Sequence, residues 1–276
     1  MEHPSYAKIV GKRYESSIYR AVREEIRYRA ETGRYVIRGF GYSGKLPDFD
    51  DLLLVPVHGL GTPPPIDQYR ERVDTTVVIG GGRVKRPIEL KTPVMIGAMS
   101  FGATSREFKL ACAKAANMAG TASNTGEGGS VVTVRDSEVE YTEYLLTKPN
   151  GYLIAQFASG RWGVSVDYLL HCDAIEIKIG QGAKPGMGGH LMGEKVTEEI
   201  ARTRGIPVGT DCLSPARHLD VKSLDDLKAL VRILRDVVDY EKPVGIKLGP
   251  GRVYKDVYMA CQADVDLSLI HISEPT

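Results

Sequence analysis

The chain has 276 residues, with 36 Lys and Arg against 35 Asp and Glu, for a formal net charge of +1. That balance excludes a basic nucleic-acid arm and an acidic solvating tail. At 42% hydrophobic and 26% charged residues, the composition is that of a globular chain able to bury a core, not of a disordered one.

Residues 1–8 (MEHPSYAK) hold no apolar signal region, and no stretch approaches the ~18 apolar residues of a membrane span, so a cytoplasmic protein is expected. Cys112, Cys172, Cys212 and Cys261 are widely spaced with no C-x-x-C, which predicts reduced core thiols and no metal site. Ser5 to Arg29 reads as a charged amphipathic helix stopped by Gly33. Tyr35 to Lys91 is irregular, with turns at Gly39-Phe40-Gly41, Pro63-Pro64-Pro65 and Gly80-Gly81-Gly82 and an extended run Thr75–Ile79. Residues 1–91 are therefore read as an N-terminal helix and wrapping segment.

From Thr92 onward short apolar runs alternate with helices. Strands are predicted at Pro93–Met99, Thr121–Ser123, Gly151–Phe157, Ala174–Ile179, Pro207–Leu213, Pro243–Leu248 and Ala263–Asp266. The first helix opens at a Thr104/Glu107 capping box and ends at Gly120; others follow near Ser165–Leu170, Lys195–Arg204, Ser223–Asp239 and Val253–Gln262. In the fourth, Ser223 and Asp226 form a second capping box ahead of one apolar stripe. Apolar strands separated by helices imply an α/β fold with a parallel sheet covered on both faces, which a barrel and a doubly wound sheet both satisfy.

In either architecture, ligands bind at the carboxyl ends of the strands. There the chain delivers Ser100-Phe101-Gly102, Asn124 to Gly129, Gln156 to Arg161, Lys178 to Gly186 and Lys247 to Gly251. Thirty glycines, above the usual share of about 7%, gather in these clusters. Lysines and an arginine on one rim suit an anionic ligand, with Arg161 able to clamp a carboxylate bidentately. Few histidines, none beside an obvious nucleophile, argue against acyl transfer and metal hydrolysis, and His190 and His218 read as loop residues. Gly39-x-Gly41-x-x-Gly44 matches a dinucleotide pattern by letter, but Pro47 stands where its helix should start.

The blocks Met99 to Ala103, Asn124 to Gly129, Ala158 to Val164 and Ile177 to Gly186 resemble the FMN-binding domain of the glutamate synthase family, over about Phe49 to Asp266. Met187 and His190 stand where the best-known members carry Glu and Gln. The chain also resembles smaller relatives such as the N-methylglutamate synthase flavin subunit, through Gly39-Phe40-Gly41, the Pro47–Leu53 segment and Glu241-Lys242-Pro243. The resemblance implies a (β/α)8 TIM-type barrel, C-terminally truncated, over residues 92–266. It implies an oxidoreductase that reduces 2-iminoglutarate, formed from 2-oxoglutarate and ammonia, to glutamate by hydride transfer from reduced FMN. The alternatives are a paralogue reducing a different imine and a non-catalytic barrel subunit.

Carried over residue by residue, Met99, Ser100, Asn124, Gln156, Lys178 and Lys247 are expected to contact the flavin. Arg161, Lys184 and His190 are expected to bind substrate, and Lys178, Glu127 and Gln181 to carry the catalytic roles. No N-terminal catalytic cysteine occurs, so a glutaminase subunit supplying ammonia and an electron-donor subunit are the expected partners. Any iron–sulfur cluster would lie in the intact protein or a partner. Finally, Leu267 to Thr276 (LSLIHISEPT) resembles a translated sequencing-adapter end, the alternative being a genuine strand and tail. On the adapter reading the chain is a fragment, expected to be inactive by itself.

Overall fold

The structure is a computed structural model and describes residues 27–28, 30–33, 67, 69–182, 186–249 and 251–270. Residues 1–74 with 274–276 form one unit and residues 75–273 another. Most of the expected N-terminal helix lies outside the described residues, but residues 30–32 are helical and Gly33 follows with φ +62°.

In the larger unit, an antiparallel hairpin pairs β1 (Val77–Ile79) with β2 (Ile88–Leu90). Helix α1 (Arg106–Ala119) leads to β3 (Ala122–Asn124), and a second hairpin, β4 (Thr133–Arg135) with β5 (Glu138–Glu140), leads to α2 (Thr142–Thr147). Then come β6 (Tyr152–Phe157), α3 (Val166–His171) and β7 (Ala174–Lys178). A small antiparallel pair, β8 (His190–Leu191) with β9 (Cys212–Leu213), brackets α4 (Glu198–Arg204). The chain continues through α5 (Leu224–Val237), β10 (Val244–Leu248), α6 (Val253–Gln262) and β11 (Leu267–Ile270).

Strands β3, β6, β7, β10 and β11 form one five-stranded parallel sheet in that spatial order. Each strand lies beside the next one of the sheet, with no reversal of direction across it. A doubly wound sheet reverses at its switch point, so the sequential order identifies part of a (β/α) barrel. Alternation along the strands sorts the side chains. Leu153, Ala155, Ile175, Ile177, Val244 and Ile246 face outward into a core shared with Tyr168 and Leu169 of α3 and Leu227, Leu230, Val231 and Leu234 of α5. Burying each large apolar side chain there contributes roughly 1.5–3 kcal/mol. On the opposite face the strand beginnings, Ala122, Ile154 and Ala174, pack with Ile79, Ile88 and Leu90 of the first hairpin. The strand ends on that face are polar.

Several boundaries differ from the sequence reading. Ser105, not Thr104, caps α1, accepting from the Phe108 N–H, while the Thr104 hydroxyl donates to the Ser100 carbonyl. Pro93–Met99 is not a strand; the Ile96 N–H donates to the Ala122 carbonyl without continuing a ladder. Of the strand expected at Pro207–Leu213 only Cys212 and Leu213 are extended, because Gly209 at φ +74° turns the chain there, and that pair stands outside the parallel sheet. The last strand begins at Leu267 because Ala263 still caps α6 and Asp264 takes φ +64°. Cys172 and Cys212 are buried as expected, whereas Cys112 is half-buried and Cys261 exposed on α6. No helix among the described residues is long and apolar enough to cross a membrane.

Candidate active site

The carboxyl ends of β6, β7 and β10 point four buried polar side chains to one face: Gln156, Glu176, Lys178 and Lys247. Register sets their neighbours, since Gln156 lies opposite Glu176 and Lys247 opposite Lys178. The Gln156 amide donates to Glu176 Oε1 at 2.8 Å, and Lys247 Nζ lies 3.7 Å from the same oxygen. Burial lowers the Lys247 pKa, as does the facing Lys178 ammonium, while Glu176 counteracts them. Two lysines are thus held side by side and out of water, each beside a buried carboxylate, Glu176 for Lys247 and Glu127 for Lys178.

The loop after β3 supplies the facing carboxylate. Glu127 Oε2 accepts from Lys178 Nζ at 3.2 Å. Its other oxygen, Oε1, is buried with no hydrogen-bond partner among the described residues. A side chain at Gly160 would lie 2.7 Å from that oxygen. Gly189 stands in the same relation to Glu127 Oε2 and to Gln181 Nε2, at 2.6 and 3.1 Å, so Gln181 flanks the carboxylate. Asn124 Oδ1 accepts from the Gly126 N–H at 2.9 Å, turning its side chain back into the loop. Gly126 has φ +69°, and a Cβ there would meet the Met99 carbonyl carbon at 2.4 Å, so glycine lets the two candidate flavin-contacting loops touch.

Lys109 underpins this layer from α1. It is 2% exposed, donates to the carbonyls of Met99, Asn124 and Thr125 at 2.9, 3.3 and 2.6 Å, and pairs with buried Glu143 at 2.8 Å. Glu143 in turn accepts from Ser130 Oγ and the Val131 N–H. Tyr168 reaches from α3 to accept from the Gln156 N–H at 2.8 Å and meets Thr125 Oγ1 at 2.7 Å. Arg204 donates to the carbonyls of Phe101 and Glu127 and lies over the Trp162 ring.

Arg161 sits on the same rim, with its guanidinium already engaged. Nη1 donates to the Ala158 carbonyl at 2.6 Å and faces His218 Nδ1 at 2.8 Å, and Nη2 donates to both Asp220 oxygens at 3.1 and 2.9 Å. The Phe157 ring supports it from 4.0 Å. His190 is half-buried on β8, its Nε2 without a hydrogen-bond partner among the described residues, and Met187 nearby is buried. Lys184 lies outside the described residues.

Residues 65–274 match the family model described as the conserved region in glutamate synthase. The chain belongs to the glutamate synthase family. It is 40% identical over 246 residues to a glutamate synthase large subunit-like protein of Rhizobium meliloti, covering 89% of this chain and 52% of that protein. An archaeal-type glutamate synthase [NADPH] of Thermotoga maritima is 42% identical over 238 residues, 80% of this chain and 44% of that protein. The chain thus spans about half the length of these curated relatives. A mandelate oxidase mutant with a C4a-OH-FMN adduct is a distant structural likeness, at 18% identity and a TM-score of 0.41 over 71% of this chain and 51% of that one.

Among the residues expected to serve this family's site, Glu127, Lys178, Gln181 and Lys247 stand on one rim with Gln156. Asn124, Met99 and Ser100 form the adjoining loop pair. Glu176, Lys109, Tyr168 and His218 were not singled out as site residues from the sequence. Glu176 carried a signal, because the alternation of Ala-Ile-Glu-Ile-Lys puts it on the same face as Lys178. Lys109 and Tyr168 sit on helices whose patterns say nothing of the loops they reach.

Proposed function

We propose that this chain forms the flavin-binding portion of a glutamate-synthase-type oxidoreductase, in which 2-oxoglutarate and ammonia condense to 2-iminoglutarate and water, and the imine is reduced to glutamate. The observation that carries this reading is the buried lysine pair, Lys178 and Lys247, opposed in register at the strand ends and facing Glu127. The residues present fit FMN. A flavin ring offers acceptors and one N–H along its pyrimidine edge, and here two ammonium groups and the Gln156 side chain, whose amide carries both a donor and an acceptor, share one rim. When bound, FMN would supply the hydride. Lys178 and Lys247 would favour negative charge at that edge, and Met99, Ser100, Asn124 and Gln156 would hold the ring.

Arg161 and Lys184 are the proposed carboxylate clamps. Asp220 occupies the Arg161 fork, so a substrate carboxylate would exchange with it. Glu127, next to Lys178, would receive an N–H of the incoming ammonia or imine through Oε1, with Gln181 ordering that carboxylate. An ammonia-supplying glutaminase subunit and an electron-donor subunit complete the proposed cytoplasmic assembly.

One observation favours a changed acceptor: Met187 is buried, and His190 Nε2 has no hydrogen-bond partner among the described residues, at the positions where Glu and Gln are expected. We therefore propose that these two residues set the imine accepted. Residues 65–266, transplanted into the matching region of the Rhizobium meliloti relative, provide the test, with glutamate formation followed from 2-oxoglutarate and ammonium under a chemical reductant. Glutamate should form, and Met187→Glu with His190→Gln should shift preference from methylamine toward ammonium. A flavin-loaded chimera that forms no amino acid from either amine would overturn the reading.

A further inference from the structure

His218 is 2% exposed and bridges two parts of the rim. Its Nε2 lies 2.7 Å from the Lys178 carbonyl oxygen, which can only accept, so Nε2 carries the hydrogen. Its Nδ1 lies 2.8 Å from Arg161 Nη1, which can only donate, so Nδ1 is the bare acceptor. A second proton would set two donors against each other. The ring is also stacked 6.1 Å from Phe157, the residue that supports the Arg161 guanidinium.

We propose that His218, as the neutral Nε2–H tautomer, is a positioning residue that ties the Arg161 guanidinium to the main chain of Lys178. It thereby holds the carboxylate-binding arginine at a fixed distance from the flavin-side lysine. This deepens the functional reading above and rests on it for the identity of the two groups joined. Three features make the link specific. The His218 side chain lies between an element of the sheet, β7, and the loop after β6, and touches both. Arg161 sits at φ +56°, so its loop approaches the ring in a backbone conformation a neighbour must stabilise. The charged groups around the ring come from three loops, Arg161 after β6, Asp220 before α5 and Glu127 after β3, while β7 contributes the Lys178 carbonyl. Burial and the Arg161 cation disfavour a proton on the ring, against the opposing influence of the Lys178 carbonyl, Asp220 and Glu127, and the His218 pKa falls below its ordinary 6.5.

Nitrogen-15 spectra of the histidine rings in the full chain read the tautomer without flavin or turnover, with the His218 signals identified by their loss in His218→Asn. A protonated Nε2 and a bare Nδ1 at about pH 8, with the ring charging only below the ordinary 6.5, are expected. An Nδ1–H tautomer, or a ring that charges at or above 6.5, would overturn the proposal. Two variants then separate the halves of the link. Asn places an acceptor near the Nδ1 position and Gln a donor near the Nε2 position. Binding of 2-oxoglutarate is followed through the fluorescence of Trp162, the single tryptophan and the neighbour of Arg161. His218→Gln should bind 2-oxoglutarate about tenfold more weakly than His218→Asn, the effect of losing one hydrogen bond to a charged group. Equal affinities, or tighter binding by the Gln variant, would contradict the role. A parent chain that shows the expected tautomer but binds no 2-oxoglutarate would sink the substrate reading and leave the histidine link standing.

Discussion

Asp220 shows how a rim residue can compete with a ligand. Burial works against its carboxylate, but its own backbone N–H and the Arg161 guanidinium outweigh that and hold its pKa below the ordinary 3.8. The stability this adds is full above pH 3.8 and is lost as the pH falls through the lowered value, so the Arg161 pair stays intact near neutrality. Because the pair is largely exposed, it stabilises the fold little. Asp220→Asn should leave the melting temperature nearly unchanged and tighten 2-oxoglutarate binding about threefold to tenfold, measured by Trp162 fluorescence. Weaker binding in that variant would mean that Asp220 positions Arg161 and does not compete for it.

Lys109 makes the opposite case, a charge kept for what it holds in place. Lys109→Met would strand Glu143 without its cation and free three carbonyls, at a cost of about 3–5 kcal/mol in urea unfolding. Lys109→Met combined with Glu143→Leu should recover part of that loss. A single variant as stable as the parent would show that the pair is not anchoring the loop.

At the scale of elements, signals that are local in sequence were legible and those set by neighbours were not. The α5 capping box is local: Ser223 Oγ accepts from the Asp226 N–H and Asp226 Oδ2 from the Ser223 N–H, as its spacing implied. Ser223→Ala should cost about 1 kcal/mol in the same unfolding assay, and no change would mean that the apolar stripe alone fixes the helix start. The α1 start was one residue off because Thr104 and Ser105 are both good caps, and the Ser100 carbonyl claims the first hydroxyl. Strands β6, β7 and β10 were read nearly to the residue, since buried runs bounded by turns have little alternative. In Pro207–Leu213 the local signal was Gly209, which turns the chain at φ +74° and whose N–H donates to the Val196 carbonyl, and it was outweighed by the flanking apolar residues. The site followed the same rule. Rim lysines and glycines announce themselves by position at strand ends, whereas the tautomer of His218 depends on atoms 40 and 57 residues away.

Across the whole sheet, one carboxylate joins three layers. Asp266, with its side chain fully buried, accepts from the Val244 N–H of β10 at 2.8 Å and from Arg235 of α5 at 3.0 Å, and pairs with Arg83 of the first hairpin at 3.0 Å. Asp266→Ala should therefore destabilise the parallel sheet by about 3–5 kcal/mol, seen as an early loss of cooperative thermal unfolding; an unaltered transition would show that the outer core carries the assembly. The sequential strand order, the outward apolar face and the inward polar ends together make a barrel segment whose buried polar side chains gather on one rim.

We propose that this rim binds a flavin through Lys178. Titrating FMN into the chain and following the flavin absorbance tests it most directly, with Lys178→Met alongside. Saturable binding, weakened about tenfold or more in the variant, is predicted from loss of a buried cation opposite the ring. Binding of equal strength in both proteins, or none in either, would contradict it.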